Sequence, residues 1–203
     1  MTSSEKKFKE ALKKYLPEKS IDYCHWLWHE NDFSLRIKKR RASKLGDYRF
    51  DPATGRQSIS VNNNLNPYSF LITYIHEVAH LVTYSIHKRT VKPHGAEWKK
   101  NFRKLMTPML TTEIFPQSVL QPLKEYLKNP KASSCNDHTL MAALRLHDAH
   151  GSLQLSDIPT GELFKFKNRV FRKESLRRSR YVCCEVSSNL KYLISKMAEV
   201  EKV

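Results

Sequence analysis

The sequence predicts an α+β fold with a small β-rich unit at its C-terminal end. Two stretches of alternating apolar and polar residues, 33–62 and 161–194, enclose a long run of apolar residues at helical spacing, 66–87. Shorter helical stretches follow that run. A chain of 203 residues has room for one medium domain, or for a domain of about 130 residues and a small appendage. The expected division is 1–130 and 131–203, the second piece holding a helix and a basic strand meander.

Taken in order, Phe8, Leu12, Tyr15 and Leu16 recur at helical spacing until Pro17 stops the first helix. Residues 20–30 gather Tyr23, Trp26 and Trp28, which suits core packing. Leu35 and Ile37, then Tyr48 and Phe50, alternate with polar and basic neighbours, "DPATGRQ" reads as a turn, and "SISVNN" as a further strand. Two or three antiparallel strands are therefore expected here. Asn66-Pro67 is a helix start, and Phe70, Leu71, Tyr74, Ile75, Val78, Leu81 and Val82 carry that helix to about residue 87. Lys92-Pro93 breaks the chain, "HGAEWKKNFRKLM" opens another helix that Pro108 ends, and residues 117–128 and 136–147 read as helices. "NPKASS" at 129–134 is the expected linker. From Gly161 onward the chain alternates like a meander of short strands.

Charge narrows the function. Lys and Arg number 36 against 20 Asp and Glu, a formal net charge of +16. A field of that sign favours polyanions. The N-terminal residues show no apolar signal region, and no apolar run has the length to cross a bilayer, so no membrane partner is expected. Cys24, Cys135, Cys183 and Cys184 make no C-x-x-C pair and read as reduced thiols of a cytoplasmic protein.

The chemistry lies in "YIHEVAHLVTYSIHKRTVKPHGAEW", residues 74–98. His76 and His80 stand four apart, so on a helix both imidazoles reach one metal ion. Glu77 beside them can take a proton from a metal-bound water and pass it to a leaving amine. Zinc hydrolases take three protein ligands and leave a fourth position open. His87 lies nearly two turns beyond His80, about 10 Å along the axis, too far to share the ion. His94 stands between the Lys92-Pro93 break and Gly95, where the chain can fold back. It is the favoured third ligand, with Glu97 as its rival.

"HEVAH" followed fourteen residues later by "HGAEWKKNF" resembles the SprT-like metalloprotease family, which includes the Spartan proteases of DNA–protein crosslink repair. "GRQSISVNNNLNPYSFLITYI" also resembles the family's strand-then-helix approach to its site, and the likeness covers roughly residues 5–110. It implies a zincin-like core: N-terminal helix, small antiparallel sheet, H-E-x-x-H helix and following helix. It also implies a zinc endopeptidase with one zinc ion on His76, His80 and His94, Glu77 as general base, and Trp98 packing beside the third ligand. In better-known relatives the substrates are proteins bound or crosslinked to DNA, and DNA stimulates cleavage. The tail departs from the family: Cys183 and Cys184 stand where a zinc ribbon might place ligands, but the two C-x-x-C pairs are missing. A ribbon-like β-unit without a second zinc is the expectation.

Three basic clusters bear on the DNA partner: 36–44, the stretch on either side of His94, and 165–180. They offer sequence-independent contacts to phosphates, with Arg40, Arg41, Lys99, Lys100, Arg177, Arg178 and Arg180 as the named candidates. The leading expectation is a zinc endopeptidase acting on DNA-associated proteins, whose extended substrate pairs with the strand at 58–62. The competing readings are a basic nucleic-acid-binding protein with a structural or vestigial zinc, and a zinc hydrolase of a non-protein substrate.

Overall fold

A computed structural model gives the structure of residues 3–41, 44–131, 137–148, 153–196 and 198–203, without the side chains of residues 3 and 4. Cys135 and residues 132–134 of the expected 129–134 linker lie outside the described residues. The described chain holds six α-helices and two sheets, and divides into two compact units, Met1–Ala149 and His150–Val203. No described helix is long and apolar enough to cross a membrane.

In the first unit, α1 (Ser3–Lys13) and α2 (Ile21–Asn31) precede a three-stranded sheet of β1 (Phe33–Lys38), β2 (Gly46–Phe50) and β3 (Gln57–Asn62). The aromatic stretch of 20–30 is α2: Cys24 and Leu27 face the core while Trp28 stacks on Phe8 at 4.2 Å. Asp32, in the left-handed region at φ 41°, ends the helix and turns the chain into β1.

The sheet corrects the antiparallel expectation. Its order is β1-β3-β2, with β2 antiparallel to β3 but β1 parallel to it. The last strand inserts between the first two. The Asn62 N–H donates to Leu45 O and the Asn63 N–H to Lys38 O, at 2.9 and 2.8 Å. Ile59 and Val61 are fully buried and Ser60 and Asn62 nearly so, as a central strand requires. Contrary to expectation, the strand at 58–62 has neighbours on both sides, so it has no free edge for a peptide. Among the described residues, the free edges belong to β1 and β2.

Register fixes the two faces of this sheet. Phe33, Leu35, Ile37, Ile59, Val61, Gly46, Tyr48 and Phe50 share one; Ser34, Arg36, Lys38, Ser58, Ser60, Asn62, Asp47 and Arg49 share the other. The first face lies on α3 (Pro67–His87). Asn66 caps that helix by accepting from the Ser69 N–H at 2.9 Å, and Pro67 takes the first-turn position, where no N–H is needed. Phe70, Leu71, Tyr74, Ile75 and Val78 have no exposed surface. Each such side chain contributes about 1.5–3 kcal/mol by burial, so packing and not propensity holds the helix.

α4 (Ala96–Met106), α5 (Gln117–Lys128) and α6 (His138–Arg145) complete the unit. The sequence pattern groups α6 with the C-terminal piece. Leu140, Ala143 and Leu144 instead join the same core as α3, and Asn66 Nδ2 donates to Leu144 O at 2.9 Å.

The second unit is an antiparallel sheet of order β7-β6-β5-β4-β8: β4 (Leu163–Phe166), β5 (Arg169–Arg177), β6 (Arg180–Glu185), β7 (Lys191–Ser195) and β8 (Glu201–Lys202). Phe164, Phe171, Cys183 and Ile194 form its core with Leu155, Ile158 and Val200. Two charged groups are buried in it. Lys173 donates to Ile158 O and Ser156 O, with its ammonium 3.8 Å from the Tyr181 ring centroid, and Glu185 accepts from Arg169 and Ser188.

Candidate metal centre

α3 presents His76 and His80 one turn apart, and their Nε2 atoms stand 3.2 Å from one another. The third imidazole arrives from the turn between α3 and α4. His94 Nε2 lies 2.9 Å from His80 Nε2 and 3.2 Å from His76 Nε2. Among the described residues, these three are the histidine, cysteine or carboxylate side chains whose ligand atoms converge, all within 4.8 Å. Tetrahedral zinc with Zn–N bonds of about 2.0–2.1 Å sets its ligand nitrogens about 3.3 Å apart, so the donor set fits such an ion.

Local chemistry explains the turn. His94 has φ 59°, in the left-handed region, and the Gly95 N–H donates to Lys92 O at 2.9 Å. A β-carbon at position 95 would meet that carbonyl oxygen at 2.9 Å, so glycine permits the close approach. Trp98, without exposed surface, packs on all three imidazoles at centroid distances of 4.6, 5.3 and 4.7 Å and stacks on Phe102 at 5.0 Å. A second tie joins the helices: Asn101 Nδ2 donates to the Thr83 hydroxyl at 2.9 Å, which donates to Ala79 O.

Burial keeps the triad neutral. It holds His76 well below the usual imidazole range, pushes His80 down to about 3 and lowers His94, and the neighbouring imidazoles add to the effect on His76 and His80. Three converging nitrogen lone pairs that resist protonation are what a metal cation requires.

Glu77 is 6% exposed and lies against β2. Burial, with the Asp47 charge, pushes its carboxyl up to about 8; the Tyr48 backbone N–H that it accepts, and Arg41 and Lys44, oppose the rise. Gly46 makes the close contact feasible, since any β-carbon there would overlap the Glu77 side chain.

Of the other residues singled out in the sequence, His87 ends α3 and Glu97 lies in the first turn of α4, and neither joins the convergent group. Arg41 is engaged: its Nε donates to Asn62 Oδ1 at 2.8 Å and its Nη1 to Ser60 Oγ at 3.1 Å. Lys99 donates to Asn129 Oδ1 at 2.7 Å. Arg40 and Lys100 are exposed, as are Arg177, Arg178 and Arg180 at the β5–β6 turn. Sequence reasoning misses Gly46 and Tyr48. A signal for the first exists: the chain has only five glycines, so one inside a strand pattern asks for a reason.

A family model described as SprT-like family matches residues 5–119, more than half of the chain. No curated protein and no solved structure matches it.

Proposed function

This chain belongs to the SprT-like family, and from that premise we propose that it is a zinc-dependent endopeptidase acting on proteins bound or crosslinked to DNA. The observation that carries the reading is the convergence of His76, His80 and His94 on one point, with the buried carboxyl of Glu77 next to His76 on the same helix. Zinc in such a site supplies a Lewis acid that polarises a carbonyl and lowers the pKa of a water molecule. Glu77 takes the proton of the attacking water and returns it to the departing amine. Its burial and its bond from the Tyr48 N–H fix the carboxyl in place for both proton transfers. Tyr48 orients the carboxylate through its backbone N–H, and Trp98 excludes water from one side of the imidazoles.

The free edge of β2 is where an extended peptide would pair. The Asn62 N–H donates to Leu45 O and the Asp51 N–H to Arg56 O, so by alternation the backbone groups of Gly46, Tyr48 and Phe50 point away from β3. Glu77 takes the Tyr48 N–H, which leaves Gly46, Phe50 and the Tyr48 carbonyl for the peptide.

Charge supports the DNA partner. The first unit holds 25 Lys and Arg against 14 Asp and Glu, and the second 11 against 6. The polar face of the first sheet carries exposed Arg36, Lys38 and Arg49, and its acid, Asp47, is bound by Lys44 and Arg49. Such a face neutralises phosphates without reading bases. The alternative of a binding protein with a structural metal gives Glu77 no task, and a closed site needs a fourth ligand that the convergent group does not contain.

The test is cleavage of a DNA-binding protein by the zinc-loaded chain, with and without single-stranded DNA, beside Glu77→Gln. DNA-stimulated cleavage that disappears in Glu77→Gln is expected. Bound zinc and bound DNA with no cleavage would return the reading to a binding protein.

A further inference from the structure

We propose that Tyr48, Phe50 and Tyr84 form a side-chain subsite that selects a large apolar residue in a peptide paired to the free edge of β2. The inference rests on the endopeptidase reading and adds a specificity to it.

Helical spacing places the subsite beside the metal centre. Tyr84 is four residues past His80 and seven past Glu77, so all three share one face of α3. The Tyr84 ring lies 4.8 Å from that of Phe50 and 6.0 Å from that of Tyr48, both tilted. Gly46, Tyr48 and Phe50 project toward α3 by strand alternation. β2 therefore carries a glycine packed against Glu77 at one end and aromatic rings at the other.

Exposure separates this cluster from the core. Farther back along α3, Phe70, Leu71, Tyr74, Ile75 and Val78 have no accessible surface. Tyr84, Tyr48 and Phe50 are each only partly buried, and no residue of β2 is fully buried. Lys88 holds its ammonium over the Tyr84 ring, 5.6 Å from the centroid, where a flexible side chain can move aside. The Tyr48 hydroxyl is turned away, donating to Gln57 Oε1 at 2.8 Å, so the ring presents an apolar surface and keeps its polar end satisfied.

A peptide strand adds about 4.8 Å beyond β2 and alternates its side chains with a period of two. One side chain of each pair then faces α3, where the Tyr84 and Phe50 rings stand. A large apolar side chain loses its hydration there, whereas alanine leaves the rings uncovered and a carboxylate gains no partner on the rings. Discrimination of about tenfold to a hundredfold is expected from one such contact.

The test uses zinc-loaded full-length protein and peptides that differ at one position, leucine or phenylalanine against alanine. The ratio of kcat/KM is read for wild type, Tyr84→Ala, Phe50→Ala and Tyr84→Phe, and zinc content is measured in each. Peptide Kd ratios are read in parallel on zinc-loaded Glu77→Gln with the same second substitutions. The expected result is a wild-type preference of about tenfold or more that collapses in both alanine variants and survives in Tyr84→Phe, with zinc retained throughout. A wild type without preference, or alanine variants that keep it, would overturn the inference. If wild type cleaves nothing, the endopeptidase reading falls, and the Kd ratios still decide the subsite by the same criterion.

Discussion

A β-carbon built on Gly46 would stand 2.5 Å from Oε1 of Glu77 and 2.8 Å from its Cγ. The strand that borders the site and the helix that carries it are thus in contact through the absence of a side chain. The carboxylate occupies the volume that any other residue at position 46 would need, while the next outward-facing N–H, that of Tyr48, binds it.

Gly46→Ala is therefore expected to displace the carboxylate and leave the three imidazoles in place. Overpacking of this kind costs about 1–3 kcal/mol of stability. Misplacing a reacting group by about 1 Å lowers turnover by as much as about a hundredfold. Zinc stoichiometry measured beside peptide cleavage checks this: a variant that loses zinc in proportion to activity would contradict the assignment.

Ligand identity has its own signature. His94→Ala should lose zinc on dialysis, and His87→Ala and Glu97→Ala should keep it. Zinc at a hundred times its dissociation constant stabilises the wild type by about 2.7 kcal/mol. A chelator should therefore lower the wild-type Tm and leave that of His94→Ala unmoved. Retention of zinc by His94→Ala would dismiss it as a ligand.

Much of this site is legible in the sequence because it is local. Four-residue spacing on a helix fixes His76 and His80, Asn66-Pro67 fixes where the helix begins, and elimination along one short connection leaves His94 ahead of Glu97. The sheet order is not local. Alternation at Leu35, Ile37, Tyr48 and Phe50 says which side chains share a face, and says nothing of which strand lies between which. That is why 58–62 reads as an available strand although it is the central one. The anchoring of Arg41 is hidden for a related reason: its partners Asn62 and Ser60 lie about twenty residues away, and no composition rule shows which arginine is anchored. α6 reads as part of the tail because the 129–134 stretch looks like a linker, whereas its apolar face completes the first core.

The basic sheet face makes a prediction separable from catalysis. Replacing Arg36, Lys38 and Arg49 together by Gln should weaken single-stranded DNA binding and shallow its salt dependence by about 0.7 for each phosphate left without its cation. Arg177, Arg178 and Arg180 replaced together give the corresponding measure for the second unit. Fluorescence anisotropy across a salt series reads both. If neither slope changes, these residues do not touch phosphate.

In the second unit, Arg169 and then the Ser188 hydroxyl hold the Glu185 carboxyl down to about 2, below its ordinary 4.5. A carboxyl lowered in the folded state stabilises fully above its unfolded pKa, and the contribution is lost as pH falls from about 4.5 toward 2. Hydrogen exchange of residues 163–195 should accordingly quicken as the pH falls through that window, after correction for the intrinsic pH dependence. Arg169→Gln should flatten the response. Equal acid sensitivity in both proteins would assign the loss to other carboxyls.

The ligands also define a topology. His80 sits on α3 and His94 in the turn beyond it, fourteen positions along the chain. A bound ion therefore closes a ring through the segment that carries Lys88 and Arg89 and ties it down in the folded chain. The same ion that supplies the chemistry would then act as a removable cross-link. Removing it would open the ring at the metal and should quicken trypsin cleavage after Lys88 and Arg89, so the cutting pattern becomes a gauge of metal occupancy.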